Sequence, residues 1–355
     1  RLDSLHFVST PPRESTMRLC SSSLLLPLCL IASTAHPQQT GWRPTPGHPQ
    51  LPIWTGAIPD AAPVLGSETV EISGPNDLIG GKRTTGVRNV TIPTMTIYSP
   101  AGRNTGASVV VFPGGGYQML AIDLEGTEVC DWLVPRGITC IVLKYRVPGN
   151  PRLYPKSGPY PESPMALEDA QRTIGLLRLH AAEYHINPHR IGVLGFSAGG
   201  SLVADISNHF DRRIYHRIDA ADDQSCRPDF AIAIYPGHLS YGAAGYDVSQ
   251  SSNKTFTLPP NNAPPAVRDL ILNPHLRVTK NTPPTFLLQN EDDHVDNVDD
   301  ALSYYIALKN AGVPTELHLY PKGGHAFGLR RTKLPVTAWP QLVDTWLAFI
   351  GMTPQ

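Results

Sequence analysis

The pentapeptide Gly195-Phe196-Ser197-Ala198-Gly199 follows directly on the apolar run Arg190-Ile191-Gly192-Val193-Leu194 and opens an apolar-periodic segment over residues 200–209. Strand, abrupt turn and helix must therefore succeed one another without a linker, which requires a sheet and a helix packed at that junction. In so tight a turn, side chains at Gly195 and Gly199 would collide with neighbouring backbone, and the serine is held in strained geometry. The pattern predicts a serine hydroxyl lifted clear of a sheet as a nucleophile. A glycine turn that only packs a helix on a sheet is the plainer alternative.

Three further segments supply what a serine nucleophile needs. The run Ser108-Val109-Val110-Val111-Phe112 is β-branched and apolar, as in a buried parallel strand, and ends in Pro113-Gly114-Gly115-Gly116-Tyr117. Consecutive glycines expose backbone N–H groups, and an oxyanion hole needs donors already in place, each worth about 3 to 4 kcal/mol. The N–H groups of Gly115, Gly116 and Ala198 are predicted to form it, the last at the positive end of a helix. A merely flexible turn is the competing reading.

Downstream, the apolar segment 284–290 reads as another buried strand and runs into Glu291-Asp292-Asp293-His294-Val295. An acid at a strand's C-terminal end is well placed for an active site in an open parallel sheet. Asp292 is the predicted acid, with Asp293 and Asp296 as competitors that could instead cap the following helix. Residues 315–320 alternate as a strand does and precede Pro321-Lys322-Gly323-Gly324-His325-Ala326-Phe327, whose glycine-flanked His325 is the predicted general base. Among the other histidines, His180, His185 and His189 lack a Cys or carboxylate partner at ligand spacing, so no metal site is expected.

The order Ser197, Asp292, His325 is that of the α/β-hydrolase fold and differs from the chymotrypsin-like and subtilisin-like orders. From about Val109 onward the chain resembles α/β-hydrolases of the bacterial acetylxylan esterase and feruloyl esterase type. The resemblance rests on Val111-Phe112-Pro113-Gly114-Gly115-Gly116-Tyr117, Asp123-Leu124-Glu125-Gly126, Trp132-Leu133, Leu143-Lys144-Tyr145-Arg146-Val147-Pro148, Leu167-Glu168-Asp169-Ala170-Gln171-Arg172, Gly195-Phe196-Ser197-Ala198-Gly199-Gly200 and Gly323-Gly324-His325-Ala326-Phe327-Gly328. It implies action on acetyl or feruloyl esters of plant xylan, with Ser197, Asp292 and His325 as the triad and no cofactor. The choice of Asp292 over Asp293 rests on the D-D-x-V pattern shared with prolyl oligopeptidase relatives. Pro113 stands where esterases similar to hormone-sensitive lipase carry a histidine, which disfavours simple lipase activity.

The 29 basic and 30 acidic residues leave no electrostatic footprint for nucleic acid or an anionic membrane. Met17-Arg18, an apolar stretch over residues 24–31 and Ser33-Thr34-Ala35 read as a secretory signal peptide at 17–35, with residues 1–16 as upstream translation. A secreted or periplasmic protein is expected, without membrane attachment after cleavage. Residues 36–66 read as a Pro-rich extended arm and 67–355 as one catalytic domain. Removal of the signal would leave Cys130, Cys140 and Cys226, an odd number that argues against a disulfide scaffold but leaves a Cys130–Cys140 bridge open.

Helices are predicted over residues 126–134, 164–184, 298–311 and 339–351. Alternating strands are predicted around 87–99 and further strands at 138–145, 229–235, 285–289 and 315–320, giving an α/β class with a mostly parallel sheet covered on both faces. Residues 148–163 and 237–283 break the rhythm and are expected to wall the pocket, the longer one as a small loop-rich cap. Tyr117, Tyr154 and Tyr160 are candidate platforms for sugar rings, and Asp123 and Glu125 candidate partners of sugar hydroxyls; packing and helix capping are their alternative roles. A peptidase or amidase using the same triad, a broad short-chain esterase, and a catalytically silent carbohydrate-binding protein are the competing functions.

Overall fold

The computed structural model describes residues 41–61, 66–148, 158–241 and 270–354. Its strands are β1 Gln50–Pro52, β2 Thr69–Ile72, β3 Thr85–Arg88, β4 Thr94–Tyr98, β5 Ser108–Phe112, β6 Met119–Ala121, β7 Thr139–Lys144, β8 Ile191–Phe196, β9 Phe230–Ile234, β10 Ser240–Tyr241, β11 Ile271–Leu272, β12 Thr285–Asn290 and β13 Thr315–Tyr320. The α-helices are α1 Glu128–Leu133, α2 Met165–Leu179, α3 Ala198–Asn208, α4 Val298–Asn310 and α5 Trp339–Phe349.

Eight strands form the central sheet in the order β1-β4-β7-β5-β8-β9-β12-β13. From β7 to β13 all neighbours are parallel, whereas β4 and β1 add an antiparallel edge. Every residue of β5, β7, β8, β9 and β12 is buried, as expected of parallel strands covered on both faces. The two faces can be read at the end of β8. Gly195 faces α3, where a Cβ would lie 2.0 Å from the Gly199 carbonyl oxygen. Phe196, pointing the other way, packs edge-on against Trp339 of α5 at 6.1 Å between ring centres. The sheet is thus sandwiched between helices, and the serine turn emerges at the carboxyl ends of its central strands.

Several boundaries differ from expectation. Residues 50–52, placed in the arm, pair with β4 as an edge strand; three residues are too few to show an alternating pattern. Trp54, just beyond them, is buried and donates its indole N–H to Asp169 Oδ1 at 2.8 Å. The same carboxylate accepts from Arg146, which also pairs with Glu168 at 2.8 Å, so two of the quoted sequence segments meet in one buried ion cluster. The alternating strands expected around residues 87–99 are β3, which begins two residues earlier at Thr85, and β4. The helix predicted from residue 164 ends at Leu179, short of 184. Cys130 of α1 and Cys140 of β7 form a disulfide, and Cys226 is free and buried. Among the described residues, no helix is long and apolar enough to cross a membrane. The proposed signal segment, Tyr154 and most of the proposed cap lie outside the described residues.

Candidate active site

Ser197 occupies the turn between β8 and α3 with φ 51° and ψ −122°, a conformation most residues avoid. Its N–H donates to the Ile234 carbonyl at 3.1 Å, and its own carbonyl accepts from Ser201 N–H at 3.0 Å, so the turn is tied to β9 and to the helix it opens. A Cβ on Gly199 would stand 2.0 Å from the Phe112 carbonyl oxygen. The two glycines are therefore required by the close crossing of backbone, as the sequence indicates.

His325 lies on the loop after β13 and reaches the serine: its Nε2 is 2.9 Å from Ser197 Oγ. The ring packs against Tyr235, 4.9 Å between centres. Burial works against a charged imidazolium. The hydrogen-bonded Asp293 carboxylate and the nearby charge of Asp296 outweigh it and raise the His325 pKa above the ordinary histidine value.

The acid corrects the sequence reading. The carboxylate that meets His325 is that of Asp293, whose Oδ2 lies 2.7 Å from Nδ1, and not that of Asp292. Asp292 Oδ1 instead accepts the N–H groups of Gly323 and Gly324, each at 2.8 Å, and these backbone donors lower its pKa. The two adjacent side chains leave the end of β12 in different directions, one to the backbone of the histidine loop and one to its ring. Asp293 Oδ1 accepts from Val295 N–H at 2.9 Å and Asp296 N–H at 3.1 Å, which fixes the carboxylate plane and frees Oδ2 for the imidazole. Asp296 is also in the site, with Oδ2 3.2 Å from Ser197 Oγ.

Among the described residues, the N–H groups of Gly115, Gly116 and Ala198 have no acceptor. Ala198 is the first residue of α3, and the glycine turn runs against the serine: a Cβ on Gly114 would lie 2.9 Å from Ser197 Cβ. Glu125, predicted to bind sugar, is a buried strut of this turn. Its Oε2 accepts from Gly114 N–H at 2.7 Å and its Oε1 from the Tyr235 hydroxyl at 2.9 Å. Burial raises its pKa against these donors. Tyr235 also accepts from Gly328 N–H at 3.1 Å, so one buried chain of hydrogen bonds joins the glycine turn to the histidine loop. Tyr235 escaped the sequence reading because it looks like any aromatic at a strand end.

The other predicted substrate contacts fare similarly. Asp123 Oδ1 accepts from Thr85 N–H and Leu124 N–H at 2.8 and 2.7 Å, a structural use of the side chain rather than a sugar contact. Tyr117 is 2 % exposed and packs among Tyr145 and His238, which removes it as an open stacking platform. Tyr160 is half-buried, its ring edge-on to His209 at 4.7 Å. No group of three or more His, Cys, Asp and Glu side chains among the described residues could hold a metal ion.

Comparison with known proteins agrees with this architecture. Residues 109–329 match a family model described as the alpha/beta hydrolase fold. Over 248 residues, 65 % of the chain and 42 % of the relative, the sequence is 31 % identical to an acetylxylan esterase of Xylanibacter ruminicola. It is 30 % identical over 218 residues to endo-1,4-beta-xylanase B of Butyrivibrio fibrisolvens, covering 61 % of the chain and 32 % of that protein. The chain thus spans less than half the length of these two curated relatives. Among solved structures, an acetyl ester-xyloside bifunctional hydrolase from Caldicellulosiruptor lactoaceticus superposes with a TM-score of 0.62 at 31 % identity, covering 86 % of this chain and 97 % of the other. With a match over more than half of its length, the chain belongs to the α/β-hydrolase family.

Proposed function

We propose that the protein is a serine carboxylic ester hydrolase that removes acetyl groups from xylan or related plant carbohydrates. The observation that carries this reading is the continuous contact from Asp293 through His325 to Ser197, 2.7 and 2.9 Å long, beside three backbone N–H groups that have no acceptor among the described residues. His325 Nε2 takes the Ser197 proton as the hydroxyl oxygen attacks the ester carbonyl. Asp293 holds the other ring nitrogen in the required tautomer and stabilises the imidazolium that forms. The N–H groups of Gly115, Gly116 and Ala198 meet the oxygen that gains negative charge. The imidazolium then protonates the departing alcohol, and water repeats the sequence against the acyl-serine.

The acetyl and xylan assignment draws on the named activities of the relatives, and secretion on the signal-like pattern of residues 17–35. Acetate and ferulate release from xylan, measured beside a p-nitrophenyl ester chain-length series, tests it. Acetate release with a preference for the shortest acyl group is expected, and ferulate release alone would replace the acetyl assignment. Ser197→Ala should lower kcat by at least about 10⁴-fold with an unchanged circular dichroism spectrum. Hydrolysis by that variant at the wild-type rate would refute the serine mechanism.

A further inference from the structure

The Ser197 hydroxyl has one proton and two acceptors at hand, His325 Nε2 at 2.9 Å and Asp296 Oδ2 at 3.2 Å. When the imidazole takes that proton, as the reaction requires, Asp296 loses its hydrogen-bond donor: among the described residues Ser197 is the one group that donates to its carboxylate, and the charged imidazolium Nε2 stands 3.7 Å away, beyond hydrogen-bond reach. The side chain is only 14 % exposed. It is held in place by its own backbone, whose N–H donates to Asp293 Oδ1 at 3.1 Å and whose carbonyl accepts from Gln289 Nε2 at 2.8 Å. It also fills the space beside Gly237, where a Cβ would lie 2.3 Å from Asp296 Oδ1. The basic groups that face it are the imidazoles of His325 and His238, and burial raises its pKa. A mostly buried carboxylate with unmet acceptor capacity is costly unless a donor arrives with the substrate.

The position of that donor follows from the chemistry. His325 Nε2 must pass its proton to the leaving oxygen, which brings that oxygen to about 3 Å from the nitrogen. Asp296 Oδ2 is 3.7 Å from the same nitrogen. The carboxylate therefore borders the alcohol half of the ester, next to the bond that breaks. An ionised carboxylate only accepts hydrogen bonds. A sugar ester with a free hydroxyl on the neighbouring ring carbon supplies a donor there, whereas a simple alkyl or aryl alcohol supplies none.

Building on the carbohydrate esterase reading, we propose that Asp296 is a specificity-determining residue that binds a free hydroxyl adjacent to the esterified oxygen of a polyol substrate. The test compares kcat/KM for methyl 2-O-acetyl-β-D-xylopyranoside, for the same compound with its free hydroxyls methylated, and for p-nitrophenyl acetate, in the wild type, Asp296→Ala and Asp296→Asn. The wild type is expected to favour the free-hydroxyl xyloside over its methylated form by roughly 10- to 100-fold, a range set by the cost of leaving a buried polar group unpaired. Asp296→Ala should bring that ratio close to one, with Asn intermediate. Because the ratio is taken within each variant, partial unfolding cancels from it. An undiminished preference in both variants would overturn this inference alone, as would a wild type indifferent to methylation. Loss of all three activities in a folded Asn variant would assign Asp296 to the chemistry itself and overturn it too. A wild type that cleaves p-nitrophenyl acetate but neither xyloside would remove the carbohydrate reading, and the Asp296 assignment with it.

Discussion

Around Ser197 the backbone leaves no room, since Cβ atoms at Gly195 and Gly199 would each meet a carbonyl oxygen at 2.0 Å. Around Asp293, by contrast, the loop after β12 is shaped by side chains that hold backbone. Asp292 accepts from Gly323 and Gly324, Asp293 accepts from Val295 and Asp296, and Asn290 donates to the Gly324 carbonyl at 2.8 Å. One half of the site is fixed by steric exclusion and the other by a set of hydrogen bonds. The first kind of constraint tolerates no extra atom, whereas the second can lose a member and keep its shape.

This contrast sets an order of effects. Asp293→Asn should lower kcat by about 10⁴-fold, because an amide facing Nδ1 favours the wrong imidazole tautomer. Steady-state kinetics on p-nitrophenyl acetate checks it, and a loss under tenfold would return the orienting role to another acid. Gly199→Ala should destabilise the fold by more than about 3 kcal/mol, the range of severe backbone clashes, read as a fall in the urea midpoint. A midpoint unchanged from the wild type would mean that the crossing of α3 and β5 is looser than described.

Asp292→Asn removes charge from a carboxylate that only anchors the histidine loop, so a loss of about tenfold in kcat is expected, in keeping with supporting residues. A larger loss than that of Asp293→Asn would invert the assignment of the two acids. The smallest effect concerns pH. Only neutral His325 can accept the serine proton, and its pKa is raised, so kcat/KM should fall with decreasing pH along a limb centred above about 6.5, the ordinary histidine value. Replacing the Asp296 charge with an amide should move that limb to lower pH, and a limb already centred well below 6.5 in the wild type would contradict the described surroundings of the ring.

The sequence shows the sterically fixed half of the site well, because a required glycine is visible in one dimension. Gly195, Gly199 and the glycines after β5 announce a close approach wherever they occur beside a strand. The hydrogen-bonded half is less legible. Asp292 and Asp293 are chemically identical, and which one faces the histidine depends on the direction each takes as the chain leaves β12. Glu125 is legible as an acid near the glycine turn, but its partner in the buried chain of hydrogen bonds is Tyr235, 110 residues away along the chain. Residues 50–52 do not declare themselves as a strand, because three residues carry no periodic signal. The Cys130–Cys140 bridge stayed open in the sequence because pairing depends on how α1 meets β7.

The central claim is that Ser197 is activated by His325 and Asp293. The most direct measurement is labelling with a serine-directed fluorophosphonate, followed by mass spectrometry of the proteolytic peptides. Stoichiometric modification of Ser197 is predicted in the wild type, with labelling at least about 10³-fold slower in Asp293→Asn, a conservative bound for loss of the orienting acid. An unlabelled Ser197 in active protein, or equal labelling rates in the two proteins, would contradict it.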